Sequence, residues 1–241
     1  MSDESGDTGA GKAETRWLPL ESNPEVMNSF LYNLGLSAKW AVTDVFGMEP
    51  ELLAMVPQPV AAVLLLYPLT EVAQTAAANE DNKIKAEGQV MSPKLYFMRQ
   101  TISNACGTVA LMHALANNQE ALELSSGPLA EFFSQTAGQT PEERAVSLEK
   151  FQQLEAAHEA ASHEGQTETP SRDDKLDKHF ISFVQVDGHL YELDGRRPAP
   201  VNHGPSSPET FLSDAANVVK AFMQRDPTEV NFSMLALASS Q

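Results

Sequence analysis

Cysteine is almost absent from this chain: Cys106 is the one thiol in 241 residues. A lone cysteine forms no internal disulfide and no multi-cysteine zinc site, which excludes a disulfide-stapled scaffold and points to a reducing compartment, the cytoplasm. Long apolar runs are missing too. The longest, Val60 to Tyr67, falls far short of the roughly 20 residues that a membrane-spanning helix needs. Positive charge is scarce, with 16 Lys and Arg against 33 Asp and Glu and a formal net charge of −17. Such a surface repels nucleic-acid phosphates and anionic lipid and attracts basic partners at long range. Acidity also serves solubility by itself, so charge alone selects no partner. The opening residues carry neither a signal peptide nor an Arg-rich transit pattern, and residues 1–14 read as a mobile acidic tail ahead of a single domain over 15–241. With 42% apolar residues, that length buries a sizeable core.

Helix punctuation is regular, and there is no internal repeat. Asn23-Pro24 opens a helix that Gly35 ends; Thr140-Pro141 opens an acidic, Ala-rich one to about Ala157; Ser207-Pro208 opens another to about Arg225. Six short apolar runs read as strands: WAVTDVFG, VAAVLLLYPL, KLYFMRQ, HFISFVQV, HLYELD and NFSMLALA. Two of these are apolar on both alternating faces, so the sheet is expected to carry helices on each side. The stretch His158 to Lys178 breaks this rhythm. About twenty residues of polar, Gly- and Pro-containing sequence without periodicity are uncommon inside a compact domain and mark a lid, a binding loop or an idle insertion.

What then is the single thiol for? Ser103 or Asn104 can cap a helix running through CGTVALMHALANN, which sets Cys106 in the first turn, where unpaired N–H groups and the macrodipole favour an anion. A thiolate is stabilised there, although an isolated cysteine is commonly just a small buried hydrophobe. A thiolate nucleophile needs a histidine to exchange protons and a third group to orient it. Of six histidines, His113 shares the helix face of Cys106 but stands about 10 Å further along the axis, so it reads as a packed helix residue. His158, His163 and His203 read as solvated loop residues.

The other two belong to HFISFVQVDGHLYELDG, where Asp187-Gly188 is a strong two-residue hairpin turn. That turn pairs Val186 with His189, Phe183 with Glu192, Ile181 with Asp194 and His179 with Arg196. His179 and Asp194 then become diagonal neighbours on one face, close enough for their side chains to meet. His189 points to the opposite face, and Glu192 lies two residue pairs further away. The hairpin therefore selects His179 and Asp194, with a surface ion pair as the plain alternative.

These residues carry a resemblance. The segments QTISNACGTVALMHALA and HFISFVQVDGHLYELDGR, with RWLPLESNPEV ahead of them and SHEGQTETPS and NFSMLALA elsewhere, resemble the ubiquitin carboxyl-terminal hydrolase family of cysteine peptidases, in particular its short cytosolic members. The resemblance implies Cys106 as nucleophile, His179 as proton donor and acceptor, Asp194 as the residue that orients His179, and Gln100 as a side-chain donor of the oxyanion hole, beside the Cys106 backbone N–H. It implies an α/β (α+β) fold: a mainly antiparallel six-stranded central sheet sandwiched by helices, with a papain-like site and a knotted chain path. The reaction implied is hydrolysis after the C-terminal glycine of ubiquitin through a thioester on Cys106, with no metal and no cofactor. A crossover loop at about 159–177 is implied to arch over the site and favour small adducts and unfolded extensions over folded ones.

Ubiquitin is the implied partner, and a close ubiquitin-like modifier a second substrate; no nucleic acid and no membrane is expected, and the molecule is expected to act as a monomer. Lys178 departs from the pattern, which has an apolar residue before the histidine. Two other readings stay distinct: a catalytically quiet ubiquitin-binding protein of the same fold, and an acyl-transfer enzyme that ligates rather than hydrolyses.

Overall fold

Alternation along the run Val60–Pro68 divides the interior in two, because Ala62 and Leu64 join one apolar cluster while Val63 and Leu65 join another. The computed structural model describes residues 16–166 and 177–240. The acidic tail expected at 1–14 and most of the crossover loop expected at 159–177 lie outside these residues. Among the described residues the strands are β1 (Trp40–Asp44), β2 (Val60–Pro68), β3 (Lys178–Val186), β4 (His189–Leu193), β5 (Val201–Pro205) and β6 (Ser233–Ser239). The helices are α1 (Pro24–Asn33), α2 (Pro50–Leu53), α3 (Glu71–Glu87), α4 (Cys106–Ala116), α5 (Gly127–Thr136), α6 (Pro141–Lys150), α7 (Gln152–Ser162) and α8 (Phe211–Arg225). No described helix is long and apolar enough to cross a membrane.

The strands form one sheet in the order β1-β6-β2-β3-β4-β5, and each pairing is antiparallel. One face packs against α1, α4, α5 and α7 through Phe30, Leu111, Phe132 and Leu154, and the other against α8 through Phe211, Val219 and Phe222. A two-faced sheet buries both sets of alternating side chains, which is why β2 and β3 read as unbroken apolar runs. The helix α4 is buried along almost its whole length and packs on the sheet at β2 and β3.

Local sequence signals account for several boundaries. Asn23 caps α1, its Oδ1 accepting from the Glu25 N–H at 2.9 Å, and Gly35 takes φ 104° just past the end. Thr140 and Glu143 close a reciprocal capping box at α6. Asp187 and Gly188 both have positive φ, 47° and 79°, as a type I′ hairpin requires.

Other expectations are corrected. KLYFMRQ is not a strand. Its backbone is taken up one residue at a time: Tyr96 N–H by Asn117 Oδ1, Arg99 N–H by the Pro141 carbonyl, Gln100 N–H by the Gly195 carbonyl. The sixth strand is instead β5, whose sequence VNHGP carries little apolar signal. The helix expected from Thr140 to about Ala157 is two, α6 and α7, broken where Phe151 takes ψ 84° and packs its ring 5.2 Å from that of Phe132. Here core packing overrides local helix propensity. α8 begins at Phe211, since residues 207–210 form a turn in which the Ser207 carbonyl accepts from Thr210 and Phe211.

Candidate active site

Cys106 is the first residue of α4, and Ala105 is the capping position, with no side-chain cap. The expected cap by Ser103 or Asn104 is therefore wrong; Asn104 instead takes a left-handed φ of 63° that turns the chain into the helix. The first-turn position of Cys106 itself favours an anion, whichever residue precedes it. The His179 side chain and the Phe180 and Gly107 backbone N–H groups favour the anion at the sulfur. Close approach is possible because residue 107 is glycine: a Cβ there would lie 3.2 Å from Leu20 Cβ and 3.3 Å from the Phe180 ring.

His179 sits at the start of β3, opposite Tyr67 of β2. Its Nε2 is 2.7 Å from Asp194 Oδ1, and both residues are buried, at 2% and 5% exposure. This leaves Nδ1 of the same ring for the sulfur. The expected pairs Val186–His189 and Phe183–Glu192 are present. The ladder stops at Ser182–Leu193, short of the expected Ile181–Asp194 and His179–Arg196 pairs. Asp194 has already left the strand for a tight turn, its Oδ1 accepting from the Arg196 N–H and its carbonyl from the Arg197 N–H. The two side chains meet although their backbones are not paired.

The charges fit a thiolate–imidazolium pair. Burial opposes ionisation of all three groups, but hydrogen bonds to Asp194 and Cys106 raise His179 to about 9. The same contacts outweigh burial at the other two, holding the Cys106 thiol and the Asp194 carboxyl below their ordinary ranges. At neutral pH the sulfur is thus biased toward the anion and the ring toward the cation. Tyr67, beside the imidazole, is pushed upward by burial and by Asp194 and Glu192, so it stays a neutral phenol.

Gln100 is tied to this cluster through its backbone, its N–H donating to the Gly195 carbonyl at 2.8 Å. Its amide Nε2 donates to the Ile102 carbonyl at 3.1 Å, which uses one of two amide protons, while Oε1 is buried without a partner. Gly195 is the reason the two segments can touch. A Cβ there would fall 2.9 Å from both Gln100 Cβ and Val109 Cγ1. Sequence reasoning missed Gly195, although a glycine directly after a candidate site aspartate is itself a hint of close backbone approach.

The remaining histidines are accounted for differently. His113 is buried as expected, with Nε2 3.1 Å from the Met98 backbone, and burial drives it down to about 4, so it is neutral. His158 is not a solvated loop residue: α7 continues past it, and it is buried with Nδ1 2.7 Å from Thr108 Oγ1 and Nε2 2.6 Å from the Leu18 carbonyl. His203 stands on β5 with Nε2 2.8 Å from Glu192 Oε2. His163 follows α7, 3.5 Å from Glu159. His189 lies within reach of the Asn202 side chain. Lys178 is exposed at the edge of the site, paired with Pro68. Among the described residues, no group of three or more His, Cys, Asp or Glu side chains is placed to hold a metal ion.

Residues 17–224 match the model of a family described as ubiquitin carboxyl-terminal hydrolase, family 1. A ubiquitin carboxyl-terminal hydrolase of Drosophila melanogaster is 48% identical over 225 residues, 93% of this chain and 98% of that protein. The human ubiquitin carboxyl-terminal hydrolase isozyme L1 is 48% identical over 223 residues, 92% and 98% of the two chains. Among solved structures, the UCH37 catalytic domain of Trichinella spiralis, bound to ubiquitin vinyl methyl ester, superposes with a TM-score of 0.73 at 24% identity, covering 95% of this chain and 98% of that one.

Proposed function

We propose, from the premise that this chain belongs to family 1 of the ubiquitin carboxyl-terminal hydrolases, that it hydrolyses the bond after the C-terminal glycine of ubiquitin through a thioester on Cys106. It is a cysteine-type ubiquitin hydrolase. The observation that carries the assignment of roles is the buried 2.7 Å bond between His179 and Asp194, with the same ring favouring the Cys106 thiolate.

In this mechanism the Cys106 thiolate attacks the glycine carbonyl carbon, and the new oxyanion is met by the Cys106 backbone N–H and the free proton of the Gln100 amide. His179, as imidazolium, protonates the leaving amine as the C–N bond breaks, which leaves a thioester and a neutral ring. Water then attacks the thioester; His179 takes its proton, the thiolate leaves, and ubiquitin departs with a free carboxylate. Asp194 keeps the ring in position and stabilises it while it is charged.

The crossover segment at about 159–177 restricts what can leave the ubiquitin tail, so small adducts and unfolded extensions are the substrates, with a close ubiquitin-like modifier as a second one. The excess of acidic residues suits a basic partner. The enzyme acts as a monomer in the cytoplasm, with its domain over residues 15–241. The deciding assay is release of a fluorophore from the ubiquitin C-terminus, with and without a thiol alkylator. Turnover abolished by the alkylator and by Cys106→Ser, with ubiquitin binding retained in that variant, is the expected result. Binding without turnover or covalent capture by a C-terminal electrophile in the parent chain would mark a quiet ubiquitin-binding protein instead.

A further inference from the structure

One buried cation stands next to the site without taking part in it. Arg197 is 5% exposed, three residues after Asp194, and its guanidinium is met by carboxylates from α3 and β4. Nη1 donates to Glu80 Oε2 at 2.7 Å and to Glu192 Oε1 at 3.0 Å; Nη2 and Nε donate to Asp81 Oδ1 at 2.7 and 3.0 Å. Its backbone is held as well, the N–H donating to the Asp194 carbonyl and the carbonyl accepting from the Arg99 guanidinium. Glu80 and Asp81 belong to α3, a helix of 17 residues of which none is buried. That helix also meets α8, where Arg225 Nη2 lies 3.9 Å from Glu80 Oε2, and the ion cluster is what ties it to the turn.

Buried ion clusters are a weak source of stability, because desolvation offsets much of the attraction, but their directional bonds restrict geometry. We infer that Arg197 is a positioning residue for the reaction: it anchors the turn after Asp194 to α3 and thereby aims the Asp194 carboxylate at His179. This rests on the reading of Cys106, His179 and Asp194 given above. Arg197 acts only through Asp194. Its positive charge also favours the ionised carboxylate, a smaller influence than the His179 contact. The charged and titratable groups around the pair are Tyr67 from β2, Cys106 and His113 from α4, Glu192 on β4, and Arg196 and Arg197 in the turn itself.

Cys106 is the only cysteine, so alkylation by iodoacetamide reports on its thiolate without any need for ubiquitin. In Arg197→Met the acid limb of the alkylation rate moves up by about half a pH unit and kcat on a fluorogenic ubiquitin conjugate falls about fivefold, with KM little changed. Arg197→Lys, which keeps the charge but not the fork, falls between Met and the parent. A lowered melting temperature with the parent's pH limb and kcat overturns the inference, since that is what a merely structural residue gives. If Arg197→Met does not fold, Asp81→Asn decides: the same limb moves in the same direction by a smaller amount, and an unmoved limb overturns the inference. A parent enzyme whose alkylation limb is not displaced below that of a free thiol would instead overturn the underlying reading of the site.

Discussion

Asp194 is buried, its carboxylate held by His179 and by the Arg196 N–H, and it touches no substrate in the proposed mechanism. Its replacement by Asn keeps the size but removes the charge that stabilises the imidazolium. Asp194→Asn is expected to retain the fold and lose at least about tenfold in kcat, and unchanged steady-state kinetics would remove it from the mechanism. Gln100 has a different task, since an oxyanion donor matters only in the transition state. Gln100→Ala is expected to lower kcat by about a hundredfold while leaving ubiquitin affinity unaltered; titration of ubiquitin binding beside the kinetics separates the two. The legibility of these residues differs for physical reasons. His179 and Asp194 follow from a hairpin turn that sets a register, even though the ladder ends one residue before Asp194 and three before His179. The anion-favouring position of Cys106 follows from helix geometry, and naming the wrong cap did not alter it. Gln100 has no local pattern to reveal it and rests on family resemblance, because the contact with Gly195 joins segments almost a hundred residues apart.

At the scale of elements, glycine decides how closely the pieces of the site approach. Gly195→Ala would drive a methyl group into Gln100 and Val109 at 2.9 Å, parting the Gln100 segment from the Asp194 turn. We expect a loss of about 2 kcal/mol in stability, read by urea unfolding, together with an activity loss larger than unfolding explains. Thr140→Ala opens the capping box of α6 and is expected to cost about 1 kcal/mol with kcat unchanged, since α6 carries no residue of the site. Punctuated helices such as α1 and α6 are readable because their caps are local. The irregular stretch around KLYFMRQ is not, because side chains of α4 and backbone far along the chain satisfy its peptide groups. α3 escaped notice for a related reason: a helix with no buried face has no apolar period to read.

For the whole molecule, two buried histidines oppose each other as pH changes. His113 ionises at about 4 in the native protein and near 6.5 in the unfolded chain. The unfolded state therefore takes up a proton first on acidification, and stability falls between those values by about 3 kcal/mol. His179, raised to about 9, stabilises the fold below its unfolded value and ceases to do so as pH rises through 9. Unfolding midpoints in urea should therefore be greatest near neutrality and decline from pH 6.5 to 5. His113→Gln, whose amide can still reach Met98, should flatten that acid decline; an equally steep decline in the variant would assign it to other groups.

The strand order β1-β6-β2-β3-β4-β5 places the last strand of the chain between the first two. During synthesis, β1 and β2 emerge with no shared neighbour and must wait for residues 233–239 before their facing edges are joined. Cys106 leaves the ribosome long before that moment, but the scaffold that presents His179 to it closes only when β6 inserts between β1 and β2. A nascent chain would thus carry a dormant thiol, and peptidase activity would switch on after translation has passed β6 rather than gradually along the way.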